Sequence, residues 1–155
     1  MKRPAVPFSL PEKIQPELAR VLAYWQSLKR AENEMPFWDD VTTSALPDIA
    51  HRLMLIRVFA NPERFRLGSV GQQLLDRYGE PVAGHFIDEI ELRNPFEYLR
   101  SQCSATVESR APTYYQHGPS SSENSRDADA YSRLLLPLWG NGHIGMVLGA
   151  VDWHA

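Results

Sequence analysis

The sequence predicts an α+β domain: a five-stranded antiparallel sheet with helices on one face and an amphipathic helix leading the chain. Three observations carry this expectation. First, between Tyr131 and Trp153 two apolar runs, Tyr-Ser-Arg-Leu-Leu-Leu-Pro-Leu-Trp and Ile-Gly-Met-Val-Leu-Gly-Ala-Val, are joined by Gly-Asn-Gly-His. Asn141-Gly142 is a strong hairpin signal, because a type I′ turn needs positive φ at both central residues and these two tolerate it. Second, Leu134, Leu136 and Leu138 alternate with Tyr131, Leu135 and Trp139, so this strand is apolar on both sides and is expected to be covered on both sides. Third, apolar residues recur at helical spacing near both the start and the middle of the chain.

Totals set the outer bounds. At 155 residues, with 43% hydrophobic and 23% charged, the chain suits one domain around one core. A net charge of -3 and a pI near 5.9 give no broad electrostatic reason to expect nucleic acid or an anionic membrane as partner. Met1-Lys2-Arg3 runs at once into Pro4, Pro7 and Pro11, unlike a secretory leader, and the longest apolar run, Ile144 to Val151, is far short of the ~20 residues that span a bilayer. A cytoplasmic protein is expected. The single cysteine, Cys103, excludes an internal disulfide and a multi-cysteine zinc site.

The elements follow in order. Residues 1–14 are proline-spaced and read as a loose arm, with a single domain over 15–155. Leu18, Val21, Leu22, Trp25 and Leu28 form a helical stripe behind Pro16, a good first helical residue, so a helix is predicted over 16–31. Its commoner use is to cover its own core. Tyr24 beside Trp25 widens the apolar face and keeps a partner surface open. Met35-Pro36-Phe37-Trp38 is an irregular link, followed by a helix from about Ser44 to Leu53 through Leu46, Ile49 and Ala50. Met54–Phe59 and Arg64–Ser69 read as paired strands about an Asn61-Pro62 turn, with Phe65 and Leu67 on one side and Arg64 and Arg66 on the other.

Ser69-Val-Gly-Gln72 has the spacing of a capping box, which predicts a helix from Ser69 to Gly79. Glu80-Pro81 breaks the chain, Gly84 permits a turn, and Phe86 to Leu92 suit one or two helical turns. Asn94-Pro95-Phe96-Glu97 reads as a capped helix start, with Phe96, Leu99, Cys103, Thr106 and Val107 on the inward stripe down to about Ser109. Pro112–His117 is the third strand, and 118–130 is a polar loop with little to bury.

This order, together with Ala23-Tyr24-Trp25 through Met35-Pro36, Arg64-Phe65-Arg66-Leu67-Gly68, Tyr78-Gly79 with Gly84, and Tyr131-Ser132-Arg133-Leu134-Leu135-Leu136-Pro137-Leu138, resembles stand-alone PAS-type proteins common in alphaproteobacteria. The resemblance covers roughly residues 18 to 152. The acidic-proline pair usual after Met-Pro is replaced by Asp39-Asp40-Val41-Thr42. The resemblance implies a sensory or interaction module that holds a small ligand between sheet and long helix and signals through its leading helix. It supplies no binding residues to carry over. Two cofactors of that fold are disfavoured: residues 95–109 hold no histidine for haem, and His85-Phe86-Ile87-Asp88 holds no cysteine for flavin photochemistry.

The residues themselves add little catalytic chemistry. His51, His85, His117, His143 and His154 show no HxH or HExxH spacing, so no metal site is expected. Gly68-Ser69-Val70-Gly71 lacks the order of a nucleophile elbow, and a strand-to-helix turn is its commoner meaning. Cys103 on an apolar helix face is more often a small core residue than a redox centre. Arg64 and Arg66 are either solvated charges or a surface for acidic groups.

The expected function is a non-enzymatic sensory module. Phe65, Leu67, Leu99, Cys103, Thr106, Leu136, Leu138, Met146 and Leu148 are the candidate pocket for a small organic ligand. The candidate dimer or partner interface is Leu18, Val21, Leu22, Trp25, Leu28, Tyr131 and Trp139. A homodimer through the leading helix and signalling proteins are the expected partners. The competing class is a small α+β-cone enzyme using His51, Asp76, Asp88 or Asp152 as acid and base, and a third option is a ligand-free adaptor.

Overall fold

The sheet runs in the order β2-β1-β5-β4-β3, with every neighbouring pair antiparallel. Its strands are β1 (Leu53–Phe59), β2 (Arg64–Val70), β3 (Thr113–His117), β4 (Tyr131–Gly140) and β5 (His143–Trp153). The helices are α1 (Pro16–Ser27), α2 (Gln72–Tyr78) and α3 (Leu99–Ser109). This computed structural model describes residues 8–30, 33–118, 130–140 and 142–153. Seven residues of the expected arm, most of the 118–130 loop, Asn141 of the hairpin turn, and His154 lie outside the described residues. The α+β class and the five-stranded antiparallel sheet are as expected.

Side-chain alternation along the strands divides the core in two. The inner face carries Met54, Ile56, Phe65, Leu67, Tyr131, Leu135, Val147 and Val151 against α2, α3 and the segment between them. On the outer face, Leu53, Leu134, Leu136, Leu138, Leu148 and Ala150 meet Leu18, Val21 and Trp25 of α1. Thus the doubly apolar β4 is covered on both sides by its own chain.

Four local readings change, each for a tertiary or backbone reason. The helix expected over 44–53 is replaced by 3-10 turns at Thr43–Ala45 and Ala50–Arg52. Pro47 lies between them, and it pushes Leu46 out of the α region to φ -125, ψ 66. Ser69 does not cap α2; it pairs with Leu55 inside β2, while Gly71 is the N-cap. A Cβ at Gly71 would stand 2.3 Å from the His51 carbonyl oxygen, so only glycine fits this strand-to-helix corner. Gln72 donates instead to Asp76 at 2.8 Å. The helix after Asn94 begins only at Leu99, preceded by Tyr98 in the left-handed region at φ 57. Finally α1 ends at Ser27 rather than 31, where the Ser27 hydroxyl donates to the Tyr24 carbonyl at 2.6 Å.

Both sheet edges are partly closed, which limits edge-to-edge association. Along β2, Leu67 N–H donates to His85 O at 2.9 Å and Gly84 N–H to Leu67 O at 2.6 Å. At the other edge, Tyr114 N–H of β3 donates to Phe8 O at 2.9 Å. Because β3 pairs with β4 only from Tyr131 to Leu135, the remainder of β4 has a free edge. Helix α1 and the chain after it complete it: Trp25 Nε1–H donates to Pro137 O at 2.9 Å, and Trp139 N–H donates to Pro36 O at 2.8 Å.

Candidate functional site

The two faces of β4 carry the groups most costly to bury. On the inner face Arg133 is fully buried, and a buried charge persists only when paired and hydrogen-bonded. Its Nε donates to Gln102 Oε1 at 2.7 Å, Nη1 to Pro95 O at 2.9 Å, and Nη2 to Glu97 O at 2.7 Å. Two of these acceptors are carbonyls of the segment predicted to begin α3. The guanidinium therefore holds residues 95–97 in a turn and displaces the helix start. Burial lowers the Arg133 pKa, while neighbouring Tyr131, Cys103, Tyr115 and Glu97 oppose that shift.

Gln102 of α3 has no choice of orientation. Its Oε1 accepts from Arg133, and its Nε2 donates to Thr113 Oγ1 at 3.1 Å and Arg133 O at 3.2 Å. Thr106 Oγ1 donates to Gln102 O at 2.8 Å and lies 2.6 Å from Thr113 Oγ1, so the hydroxyls and amide form a closed ring. Next to it Tyr131 donates to Glu97 Oε1 at 2.5 Å. His117 Nε2 stands 3.5 Å from Glu97 Oε2, and Nδ1 meets Tyr115 Oη at 2.9 Å. Burial, with the Glu97 carboxylate, raises the Tyr131 pKa against the pull of Arg133, and keeps the phenol neutral as a donor. Tyr98, 63% exposed, and Phe8 both tilt against Tyr115 and roof this end of the sheet.

On the outer face the same strand holds α1. Besides the Trp25 bond to Pro137, Gln15 Nε2 donates to Ser132 Oγ at 3.0 Å, and Tyr114 Oη donates to Gln15 Oε1 at 3.1 Å and lies 2.6 Å from Ser132 Oγ. Residues 131 to 138 of β4 are all buried; Tyr131 and Leu135 join the inner cluster with α3, and Leu134, Leu136 and Leu138 the outer cluster with α1.

This arrangement separates the residues expected to line one pocket. Phe65, Leu67, Leu99 and Cys103 lie in the inner cluster, and Thr106 is buried beside Gln102. Leu136, Leu138 and Leu148 belong to the outer cluster, with Met146 partly buried against it. The nine residues cannot surround one ligand, because the sheet lies between the two sets. The strand residues that do face α3 are of opposite parity: Tyr131, Arg133, Leu135 and Val147. Over Gly149 the inner face is filled, since a Cβ built there would meet Met54 Cε at 2.8 Å and Leu135 Cδ2 at 3.0 Å.

The expected interface residues divide as well. Leu18, Val21 and Trp25 are buried against their own sheet, with Leu22 partly buried beside them and Leu28 half-buried. Tyr131 faces inward and is fully buried, so it is not on the α1 side. Trp139, expected opposite Leu138, joins the outer cluster because the β4–β5 register shifts between Leu138 and Trp139. Arg133 was the missed residue. Its position two after Tyr131, inside a strand apolar on both faces, was the available signal.

Other candidates have separate surroundings. His51 is exposed; Asp76 accepts from Gln72; Asp152 pairs with Arg52 at 3.0 Å. Asp88 accepts from Arg64 Nε and Nη2, each at 2.8 Å, and this hydrogen-bonded guanidinium lowers its pKa. Cys103 is buried, and desolvation pushes its thiol up to about 12. No group of three or more His, Cys, Asp or Glu suited to a metal occurs among the described residues. Among the same residues, no helix is long and apolar enough to cross a membrane. Compared with family models, with curated proteins and with solved structures, the chain finds no match in any of the three.

Proposed function

We propose that this chain is a non-enzymatic sensory or interaction module of PAS-like architecture, signalling through docking and release of α1. The reading rests on one observation: alternate residues of β4 hold α3 on one face and α1 on the other. Tyr131 and Arg133 engage the inner network, while Ser132, Leu134, Leu136 and Leu138 engage α1 and its approach. A change at the start of α3 that draws on Arg133 thereby alters the surface on which α1 sits. Such a device switches only if a ligand or partner binds its two arrangements unequally.

The chain order, the single antiparallel sheet and the leading helix opposite the other helices support the PAS-like reading. Partners under it are a second copy, through the face that α1 vacates, and signalling proteins. A small ligand over Gly149 on the inner face has to displace Met54 or Leu135, which weights the reading toward protein contact.

Hydrogen exchange tests the coupling. Gln102→Leu alters only the inner network, yet amides of α1 should exchange faster than in wild type at matched global stability. Unchanged α1 protection would remove the basis of the proposal. Native mass spectrometry with an absorption spectrum separates a ligand-loaded sensor from an empty adaptor. Light scattering on protein lacking residues 1–31 shows whether α1 controls self-association.

A further inference from the structure

Helix α1 leaves one corner of the outer face uncovered. There Trp38, 46% exposed, lies on Gly140, where an added Cβ would stand 2.4 Å from the indole Cδ1. The ring is held in place from both sides of the chain. Phe37 bridges to Trp139, and Arg30 grips Asp40 through two nitrogens at 2.7 and 2.5 Å. The indole shares the lining of a cleft of about 260 Å³ with Arg57, Val58, His143 and Met146. Gly145 leaves bare backbone there, since a Cβ on it would find nothing nearer than 3.8 Å.

The charges at this corner are one-sided. Arg57 of β1 is directly opposite Arg66 of β2, a cross-strand pairing of like charges that is unfavourable by itself. Arg66 donates to the Gly84 carbonyl at 3.0 Å, and Arg57 lies 5.8 Å from the Phe59 ring centroid. Among the described residues neither has a carboxylate partner, in contrast to Arg64 with Asp88. An anion beside Arg57 would relieve that repulsion and gain a charge-assisted hydrogen bond. The indole face and the Met146 thioether favour a flat ring next to it.

We infer that this cleft is a binding site for a small planar aromatic carboxylate, its ring against Trp38 and its carboxylate on Arg57. The volume suits a one- or two-ring acid rather than a larger ligand.

Indole-3-acetate and its neutral amide, indole-3-acetamide, are the probes, titrated into the full chain carrying ¹⁵N-labelled tryptophan. The expected result is a saturable shift of the Trp38 indole resonance with the acid, with affinity about tenfold weaker for the amide and for Arg57→Gln. Trp38→Ala should abolish binding measured by calorimetry. Both substitutions are at exposed positions, and unchanged unfolding midpoints confirm that each variant is folded. A Trp38 resonance that stays still through millimolar acid overturns the assignment. So does equal affinity for acid and amide, or an Arg57→Gln variant that binds as wild type does. Movement of the Trp153 resonance in place of Trp38 locates binding on the inner face and overturns it as well.

Discussion

Replacing Arg133 by methionine tests whether the buried guanidinium organises the start of α3. The substitution removes three hydrogen bonds from a charged donor, each of a kind that contributes about 1.5–3 kcal/mol. Removing the charge also recovers several kcal/mol of desolvation. The net cost is then set by the acceptors left behind: the Pro95 and Glu97 carbonyls and Gln102 Oε1. Stranded buried acceptors cost about 1–3 kcal/mol each, and Glu97 is half-buried, so water offsets part of its loss. A net destabilisation of about 3–5 kcal/mol follows, within the range for breaking a buried charged network. At roughly 2–4 °C per kcal/mol for a chain of this size, the melting temperature should fall by about 6–20 °C. Thermal and urea unfolding by circular dichroism provide the measurement, with an unchanged m-value showing that the native state stays compact. Gln102→Leu should be costly alone, and should add less to Arg133→Met than it costs alone, because the two share the bond between Arg133 Nε and Gln102 Oε1 while the Gln102 bonds to Thr113 and to the residue-133 carbonyl remain. A loss under about 1 kcal/mol for Arg133→Met, or strictly additive costs in the double variant, would refute the argument.

Further outcomes follow from single contacts. Gly71→Ala should cost about 2 kcal/mol or more by urea titration, since the new Cβ overlaps the His51 carbonyl, which is backbone and cannot rotate away. Trp25→Phe keeps most of the apolar burial but strands Pro137 O, so a loss of about 1–3 kcal/mol is expected, with faster exchange at Trp139 N–H as the local sign. Cys103 and Tyr131 both have raised pKa values in the folded state, so their contribution is fully present below their unfolded values and declines as pH rises through them. For Cys103 this window opens near ~8.5, the ordinary thiol value, and closes at about 12; a thiol reagent at pH 8 should label unfolded protein quickly and native protein slowly. Asp88 and Asp48 behave oppositely, with pKa values lowered by hydrogen bonds from Arg64 and Arg20. Their contributions hold above the unfolded carboxylate value and fade on acidification, and Arg64→Gln should flatten that part of the acid titration.

Element types were legible wherever one physical cause dominated. The β4–β5 hairpin was written in alternating apolar runs, α1 in its stripe behind Pro16, and the end of α2 in Gly79, whose φ of 93 suits glycine. The parity of β2 was also legible, since Phe65 and Leu67 share the inner face as expected. Joining that set to Leu136, Leu138, Met146 and Leu148 failed because periodicity shows which residues share a face, not which helix covers it. The helix starts at Ser69 and Asn94 failed for a different reason. Local capping signals there compete with long-range partners: the β1–β2 ladder takes the backbone of Ser69, and Arg133 takes the carbonyls of Pro95 and Glu97.

By itself the sequence determined the class of fold, the order of its strands and the two-sided burial of the central strands, because these depend on neighbours within one turn or one strand repeat. Tertiary structure alone decided which face α1 covers, that Arg133 is enclosed with each of its three nitrogens hydrogen-bonded, and that Trp38 and Arg57 line one cleft. Each of these joins residues distant in the chain, and their meeting depends on how the strands register and bulge, which no local pattern encodes.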